Sequence, residues 1–296
     1  MSEIQPAQER SMLARIFLSP DEPRLRAGWR LLLQTVLLFV FGIIISIASG
    51  FLGALGRSLI GAQILNFIVI TGSVYVARRW LDKRSFESLG LKIDGHTLLD
   101  ILAGIGITFV QMGFIYVLML TLGWLTFEGF AWQFDPIRVV ISSVITFFIT
   151  FMIVGWNEEL LSRGYHLQTI ASGLNLFWGV VISSAVFGLL HLGNPNATWV
   201  SAAGIFFAGV YLAFGYIRTK QLWLSMGLHL GWNFFEGVVF GFPVSGLDIY
   251  ALTRIKVHGP ELWTGGAFGP EAGLIVLPSL ILGALLIYLY TLKRLT

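Results

Sequence analysis

The chain has 296 residues, of which 56% are apolar and 12% charged, and its mean hydropathy is +0.79. A soluble domain carries about 25% charged residues, so this composition excludes an ordinary water-soluble protein and indicates a membrane protein. The net charge of +3 is too small to indicate a nucleic-acid partner. Because the chain has no cysteine, disulfide bonds, thiolate metal sites and a cysteine nucleophile are excluded.

Eight segments are long and apolar enough to cross a bilayer as helices, which takes about 20 residues each. They lie near 30–52, 59–77, 98–126, 137–160, 174–192, 197–217, 222–242 and 271–292. The predicted fold class is all-α, a polytopic transmembrane helical bundle. We expect residues 1–29 to form an N-terminal segment and residues 30–296 to form a single transmembrane domain. No short apolar stretch with a small-residue cleavage site precedes the first span, so we expect that span to be an uncleaved anchor.

Basic residues are distributed unevenly between the connections of these spans. All but four of the 19 Lys and Arg fall on the side that holds both termini. That side has Arg10, Arg15, Arg24, Arg26 and Arg30, the loop 78–97, Arg163, Arg218, Lys220, Lys293 and Arg294; the other side has Arg57, Arg138, Arg254 and Lys256. Because Lys and Arg concentrate in cytoplasmic loops, we expect both termini in the cytoplasm and the long 243–270 connection outside. The short loops favour a bacterial inner membrane.

The fourth predicted span ends in a charged group that includes two adjacent glutamates. Ionisable residues within membrane helices are costly and indicate function. Glu159 and Arg163 lie four residues apart on one helical face, acid first, which predicts an ion pair. Glu158 is rotated by about 100° from Glu159, so it is left without a local partner. A partly desolvated carboxylate of this kind can act as a general base for water, whereas the alternative is a charged helix end.

The seventh predicted span has several polar residues on one helical face. His229 and Asn233 lie four residues apart, and Glu236 continues the same face. Gly227 and Gly231 would let a neighbouring backbone approach closely. The two hydrogen-bonding side chains could hold an oxyanion, or they could join two helices within the membrane.

The position of His191 at the end of the fifth span predicts that it faces Glu158. In an antiparallel helical hairpin, residues equidistant from the turn oppose each other. The midpoint between these two residues falls beside 172–175, which has residue types typical of turns. A lone histidine at a helix end is more often structural, so His191 gains weight only through this pairing. At 1.5 Å per residue the pair would lie about 24 Å from the turn, which is deep in the bilayer unless 165–169 projects out of it.

Taken together, these residues resemble the three motifs of a known family. The motifs are Glu158-Glu159-x-x-x-Arg163, Phe187-x-x-x-His191 and His229-x-x-x-Asn233, in this order, within 150–240. They look like the motifs of the CPBP intramembrane proteases, which comprise the type II CAAX prenyl endopeptidases and the bacteriocin-processing Abi proteins. The resemblance therefore implies a peptidase embedded in the membrane.

The resemblance also implies a role for each motif residue. Glu158 would be the general base that activates water, and His191 would help to hold that water. His229 and Asn233 would stabilise the tetrahedral oxyanion. The ion pair of Glu159 with Arg163 would support these groups. Hydrolysis would take place in a water-filled cavity reached from the cytoplasm.

Metal dependence and substrate follow less directly from the motifs. The family is widely labelled as metalloproteases, yet the chain lacks the His-Glu-x-x-His spacing that places two zinc ligands on one helix. Glu158, His191 and His229 are the candidates for a two-His, one-carboxylate zinc set. We expect no obligatory metal, with zinc as the alternative. The implied partners are membrane lipid and a peptide or protein substrate, either C-terminally prenylated or bacteriocin-like.

Two alternatives from other functional classes stay open at this point. One is a non-catalytic membrane scaffold or regulator, similar to a bacteriocin immunity protein. The other is a proton-coupled transporter, in which buried Glu, Arg and His form a path. The transporter is less favoured because the sequence has no inverted repeat and no matched pair of broken helices.

Overall fold

The structure is a computed structural model that describes residues 11–53 and 58–292. Helices dominate it, which confirms the predicted polytopic helical bundle. The α-helices are α1 (Met12–Phe17), α2 (Ala27–Ser49), α3 (Leu59–Val76), α4 (Thr97–Thr121), α5 (Ile137–Glu159), α6 (Gln168–Gly173), α7 (Leu176–Leu190), α8 (Trp199–Thr219), α9 (Trp223–Asn233), α10 (Glu261–Thr264) and α11 (Val276–Thr291); the strands are β1 (Leu125–Phe130) and β2 (Thr253–Val257). The basic residues Arg10, Arg57, Lys293 and Arg294 lie outside the described residues.

Six helices of the described chain are long and apolar enough to cross a membrane. They are Ala27–Ser49, Leu59–Leu81, Thr97–Thr121, Ile137–Gly173, Leu176–Gly193 and Trp199–Thr219. The last two predicted spans are helical but shorter. The 222–242 span is α9 continued by a π-helical segment, Phe234–Val239, and the last span is α11, with 16 residues. A helix of that length extends about 24 Å, less than the roughly 30 Å hydrocarbon core.

The 243–270 connection, which the sequence predicts as a loop after α9, contains a β-strand and short helical turns. Helix α4 ends at Thr121, before the predicted end of its span at 126, and Gly123 takes a positive φ of 70° in the turn that follows. Strand β1 then pairs with β2 in an antiparallel two-stranded sheet, with a bulge between Phe127 and Gly129. The 243–270 connection is therefore folded back onto the bundle.

Helix α5 ends at Glu159, next to the predicted end of its span at residue 160, but the helical path does not stop there. It continues through a π-helical segment, Leu160–Leu167, into α6. Within this continuation, Tyr165 and Thr169 are almost fully buried inside the protein. Tyr165 packs in an apolar cluster with Leu89 and Leu222, which come from the two loops at this end of the bundle. These loops therefore cover the continued helix.

Helix α9 is held tightly between α4 and α5. A Cβ atom added to Gly227 would lie 2.8 Å from the Cα of Ile101 on α4, a separation that real Cβ atoms do not adopt. On the other side, a Cβ on Gly155 of α5 would lie 3.7 Å from the Cβ of His229. The predicted close approach at Gly227 is confirmed. It fixes the face of α9 that carries His229 against α5.

Candidate active site

A cavity of about 460 Å³ lies between α3, α5, α7, α8 and α9. Most of its lining is apolar, and the polar and ionisable part of the lining includes Gln63, Glu158, His191, Asn194, His229, Asn233, Ser245 and Glu271. The predicted residues Glu158, His191, His229 and Asn233 all belong to this lining. A volume of this size fits a peptide segment together with water.

Glu158 and the two predicted histidines converge on one point of the cavity wall. The Oε2 atom of Glu158 is 3.8 Å from Nε2 of His191 and 3.6 Å from Nε2 of His229. These separations are too long for direct hydrogen bonds, and Oε2 has no hydrogen-bond partner among the described residues. The glutamate side chain as a whole is 32% exposed and lines the cavity, whereas the Oε2 atom itself is buried. The hairpin count from the sequence thus brought Glu158 and His191 together correctly.

Glu159 is not part of the cavity lining, and its carboxylate contacts two buried side chains, Arg163 and His229. Its Oε1 atom accepts a hydrogen bond of 2.8 Å from Nη1 of Arg163, as the four-residue spacing predicted. The same oxygen lies 2.8 Å from Nδ1 of His229. Arg163 also donates to the backbone carbonyl of Gly209 on α8, at 3.0 Å. The ion pair therefore orients the His229 ring and turns its Nε2 atom toward Glu158.

His191 is oriented by its own helix. Its Nδ1 atom lies 2.8 Å from the carbonyl oxygen of Phe187, one turn earlier, so Nε2 is the nitrogen that faces Glu158. The Phe187 ring separates the buried groups: the Arg163 guanidinium lies 4.4 Å from its centroid, and the His191 ring meets it edge-on at 4.7 Å. The motif spacing of Phe187 and His191 thus has a structural reason, since the carbonyl and the ring of Phe187 both fix the imidazole.

Asn233 lies on the cavity wall one turn beyond His229, as the shared face predicted. Both side chains are buried. Because they line the same cavity as Glu158, they are able to donate hydrogen bonds to an oxygen atom inside it. The geometry therefore fits an oxyanion site, although it is also compatible with contacts between helices.

The sequence analysis did not single out Ser245 and Glu271 as site residues. The folded-back 243–270 connection brings Ser245 to the cavity, and Glu271 follows it in the short turn Pro270–Ala272. Oε2 of Glu271 accepts hydrogen bonds from the backbone nitrogen and from Oγ of Ser245, at 2.8 and 2.6 Å. One feature of the sequence could have indicated Glu271: it is an acidic residue at the start of the predicted last span, where a charge is costly.

The candidate zinc ligands are Glu158, His191 and His229. Within residues 11–53 and 58–292, no group of three or more His, Asp and Glu side chains has an arrangement that could hold a metal ion. Glu158, His191 and His229 therefore do not form a ready three-ligand set, and no reaction step is assigned to a metal.

The cavity lies in the half of the bundle that carries the 243–270 connection. Its lining includes Leu59 at the start of α3, Asn194 after α7, and residues 244–249. The basic loop 78–97 follows the other end of α3. Access to this cavity from the cytoplasm stays a prediction.

Fold and site together define a polytopic helical membrane protein with a glutamate and two histidines around an internal cavity. Residues 140–235 match the family model described as "Type II CAAX prenyl endopeptidase Rce1-like". This segment contains all three motifs, and the match confirms the resemblance to the CPBP intramembrane proteases that the motifs predicted.

A curated relative points in the same direction. The chain is 28% identical over 112 residues to a protein of Bacillus subtilis (strain 168) that carries the name "Putative membrane peptidase YdiL". The similar region covers 38% of this chain and 41% of the relative, which is well under two thirds of the relative's length. No solved structure matches the chain. At the level of the family, the comparisons support a membrane protease.

Proposed function

We propose that the chain is an intramembrane endopeptidase that hydrolyses a peptide bond in a membrane-associated or lipidated substrate, with Glu158 as the general base. One observation carries this proposal. Glu158 presents an oxygen atom without a hydrogen-bond partner to the Nε2 atoms of His191 and His229, at 3.8 and 3.6 Å, on the wall of a cavity of about 460 Å³. The match to the Rce1-like endopeptidase model over the same residues supports it.

The spacing of these three groups suits a water molecule as the nucleophile. A water that forms hydrogen bonds of about 2.8 Å can reach two polar atoms separated by 3.6 to 3.8 Å. In the proposed reaction, Glu158 takes a proton from this water as the water oxygen bonds to the scissile carbonyl carbon. The C–N bond then breaks, and Glu158 returns the proton to the leaving amine. The products are a carboxylic acid and an amine, so no other reactant is consumed.

His229 and Asn233 are assigned to the oxyanion in this proposal. A backbone or side-chain donor aimed at a developing oxyanion typically contributes a factor of about 10²–10³ to the rate. The Nδ1 atom of His229 is engaged with Glu159, so Nε2 can donate only when the ring carries both protons. The proposal therefore needs an imidazolium at His229 during the reaction. Arg163 and Glu159 hold that ring without contacting the substrate.

The proposal includes location and substrate class as well. We place the protein in a bacterial inner membrane with both termini in the cytoplasm, on the strength of the basic loops. The apolar lining of the cavity suits a substrate segment that enters from lipid, and a C-terminally prenylated or a bacteriocin-like peptide has this character. No obligatory metal is part of the proposal.

The test is a comparison of membrane peptides and protein termini in the native host, by quantitative proteomics, between the wild type and Glu158→Ala. A variant at the exposed Glu128 of β1, Glu128→Ala, is the matched control, because it removes the same side chain outside the cavity. We expect one or more substrates to accumulate uncut only in the Glu158 variant. If no terminus changes and the Glu158 variant keeps the wild-type phenotype, the scaffold or regulator reading replaces the peptidase.

A further inference from the structure

The cavity has a second acidic residue that the proposed reaction does not use. Glu271 lines the cavity together with Glu158, but it follows the segment that matches the family model. Its Oε2 atom is fixed by two hydrogen bonds from Ser245, from the backbone nitrogen at 2.8 Å and from the hydroxyl at 2.6 Å. Donors to a carboxylate stabilise its charged form and hold it in one orientation. Glu271 is therefore a preorganised acceptor, whose Oε1 atom takes part in neither of these bonds.

A second buried carboxylate, which is not part of the cavity lining, interacts with Glu271. Glu236 is fully buried in the π-helical segment after α9, and within the described chain neither of its oxygens has a hydrogen-bond partner. It is close enough to Glu271 for the two charges to interact. The Nε1 atom of Trp232, one turn earlier on the cavity wall, is buried and interacts with Glu236. Two neighbouring buried carboxylates without a Lys or Arg partner leave excess negative charge, which a proton, an imidazolium or a bound cation can offset.

The charge of the cavity wall favours a cationic group in the same way. Among the described residues that line the cavity, Glu158 and Glu271 are acidic and none is Lys or Arg. Arg163, the nearest guanidinium to Glu158, is already engaged with Glu159 and with the carbonyl of Gly209. Glu271 lines the same cavity as His191 and His229 and interacts electrostatically with both. A positive charge on a ligand bound to Glu271 would thus lie in the cavity that holds the proposed reacting groups.

We propose that Glu271, fixed by Ser245, binds a protonated amine of the substrate, such as a lysine side chain close to the scissile bond, and so determines specificity. This inference rests on the proposed function, because it takes the ligand to be a peptide substrate. An organic amine fits better than an inorganic cation, because the apolar wall can cover the methylene stem of lysine while Glu271 accepts from its ammonium group. The arrangement of His, Asp and Glu around the site also provides no metal-binding set among the described residues.

The experiment measures binding without turnover, in nanodiscs, with the Glu158→Gln variant as the background. The probes are fluorescent, palmitoylated decapeptides in which a single lysine moves through the ten positions, and a matched set with neutral acetyl-lysine. At one or two positions we expect lysine to bind about tenfold to a hundredfold more tightly than acetyl-lysine, the range for a hydrogen bond to a charged group. Glu271→Gln should remove this preference, Glu271→Asp should keep part of it, and Glu128→Gln should leave it unchanged.

The inference is overturned if lysine and acetyl-lysine bind alike at every position, if no peptide binds above empty nanodiscs, or if the preference survives Glu271→Gln. Cleavage of the same peptides by the chain with Glu158 intact separates this inference from the proposed function. A lysine preference without any cleavage supports the amine site and contradicts the peptidase. Cleavage without a lysine preference supports the peptidase and contradicts the amine site.

Discussion

Removal of the Arg163 side chain is expected to destabilise the fold strongly, because the ion pair with Glu159 is buried. Arg163 is 1% exposed, and its partner is fully buried. Arg163→Met would leave the Glu159 carboxylate in an apolar interior with only His229 as a partner, and it would also leave the carbonyl of Gly209 without this donor. Breaking a buried pair from one side typically costs about 3–5 kcal/mol. We therefore expect a loss of about this size in the free energy of unfolding.

The double variant Arg163→Met/Glu159→Gln should recover part of that loss. It removes both charges, and the glutamine can still accept a hydrogen bond from His229. Contacting residues in such cycles have interaction energies of about 0.5–3 kcal/mol, and we expect the upper end of this range. Unfolding would be followed by tryptophan fluorescence during titration with a denaturing detergent, since the chain has 10 tryptophans.

A surface ion pair of the same chain provides the matched control for this cycle. Arg254 lies 2.7 Å from Asp135, but the two side chains are 38% and 29% exposed. Such pairs contribute about 0–1 kcal/mol, so Arg254→Met should have little effect. The reasoning is refuted if Arg163→Met costs no more than Arg254→Met, or if the double variant is less stable than Arg163→Met alone.

Three further predictions follow from packing, orientation and metal dependence. Gly227→Ala should lower the free energy of unfolding by about 1–3 kcal/mol, because the new methyl group would overlap the backbone of Ile101 on α4. Gly106→Ala on α4, where a Cβ has no atom within 4 Å, should be neutral or slightly stabilising; equal losses in both variants would contradict the packing argument. Because the chain has no cysteine, single cysteines can report the orientation: a membrane-impermeant maleimide should label Glu128→Cys in intact cells and Glu87→Cys only after permeabilisation. The opposite labelling pattern would reverse the predicted topology. A zinc chelator should leave peptide cleavage unchanged, and a loss of cleavage that added zinc restores would establish a metalloprotease.

The parts of the site that the sequence predicted correctly depend on short-range helical geometry. The pair of Glu159 with Arg163 follows from a spacing of four residues, and it is present at 2.8 Å. The approach of His191 to Glu158 follows from counting outward from one turn in a helical hairpin. Both predictions need only the helical rise and the position of a turn, which the residue types between α6 and α7 indicate. The roles of these residues in catalysis stay predictions.

What the sequence did not predict depends on contacts between distant segments. Glu271 and Ser245 reach the cavity because the connection after α9 folds back and its strand β2 pairs with β1, more than 100 residues earlier in the chain. No local pattern determines such a pairing. The π-helical continuation of α5 was missed for a related reason, since the loops that bury Tyr165 come from remote parts of the chain.

The central claim is that Glu158 activates water, and the most direct test is the rate of peptide cleavage by the purified protein in lipid. The cleavage rate of a verified substrate would be measured for the wild type, for Glu158→Gln and for Glu128→Gln, and the stability of each protein against unfolding would be measured as well. Loss of a general base typically lowers a rate by about 10²–10⁴, so we expect Glu158→Gln to be slower by this factor while its stability and substrate binding are kept. Glu128→Gln should match the wild type. Cleavage by Glu158→Gln within tenfold of the wild-type rate would contradict the account.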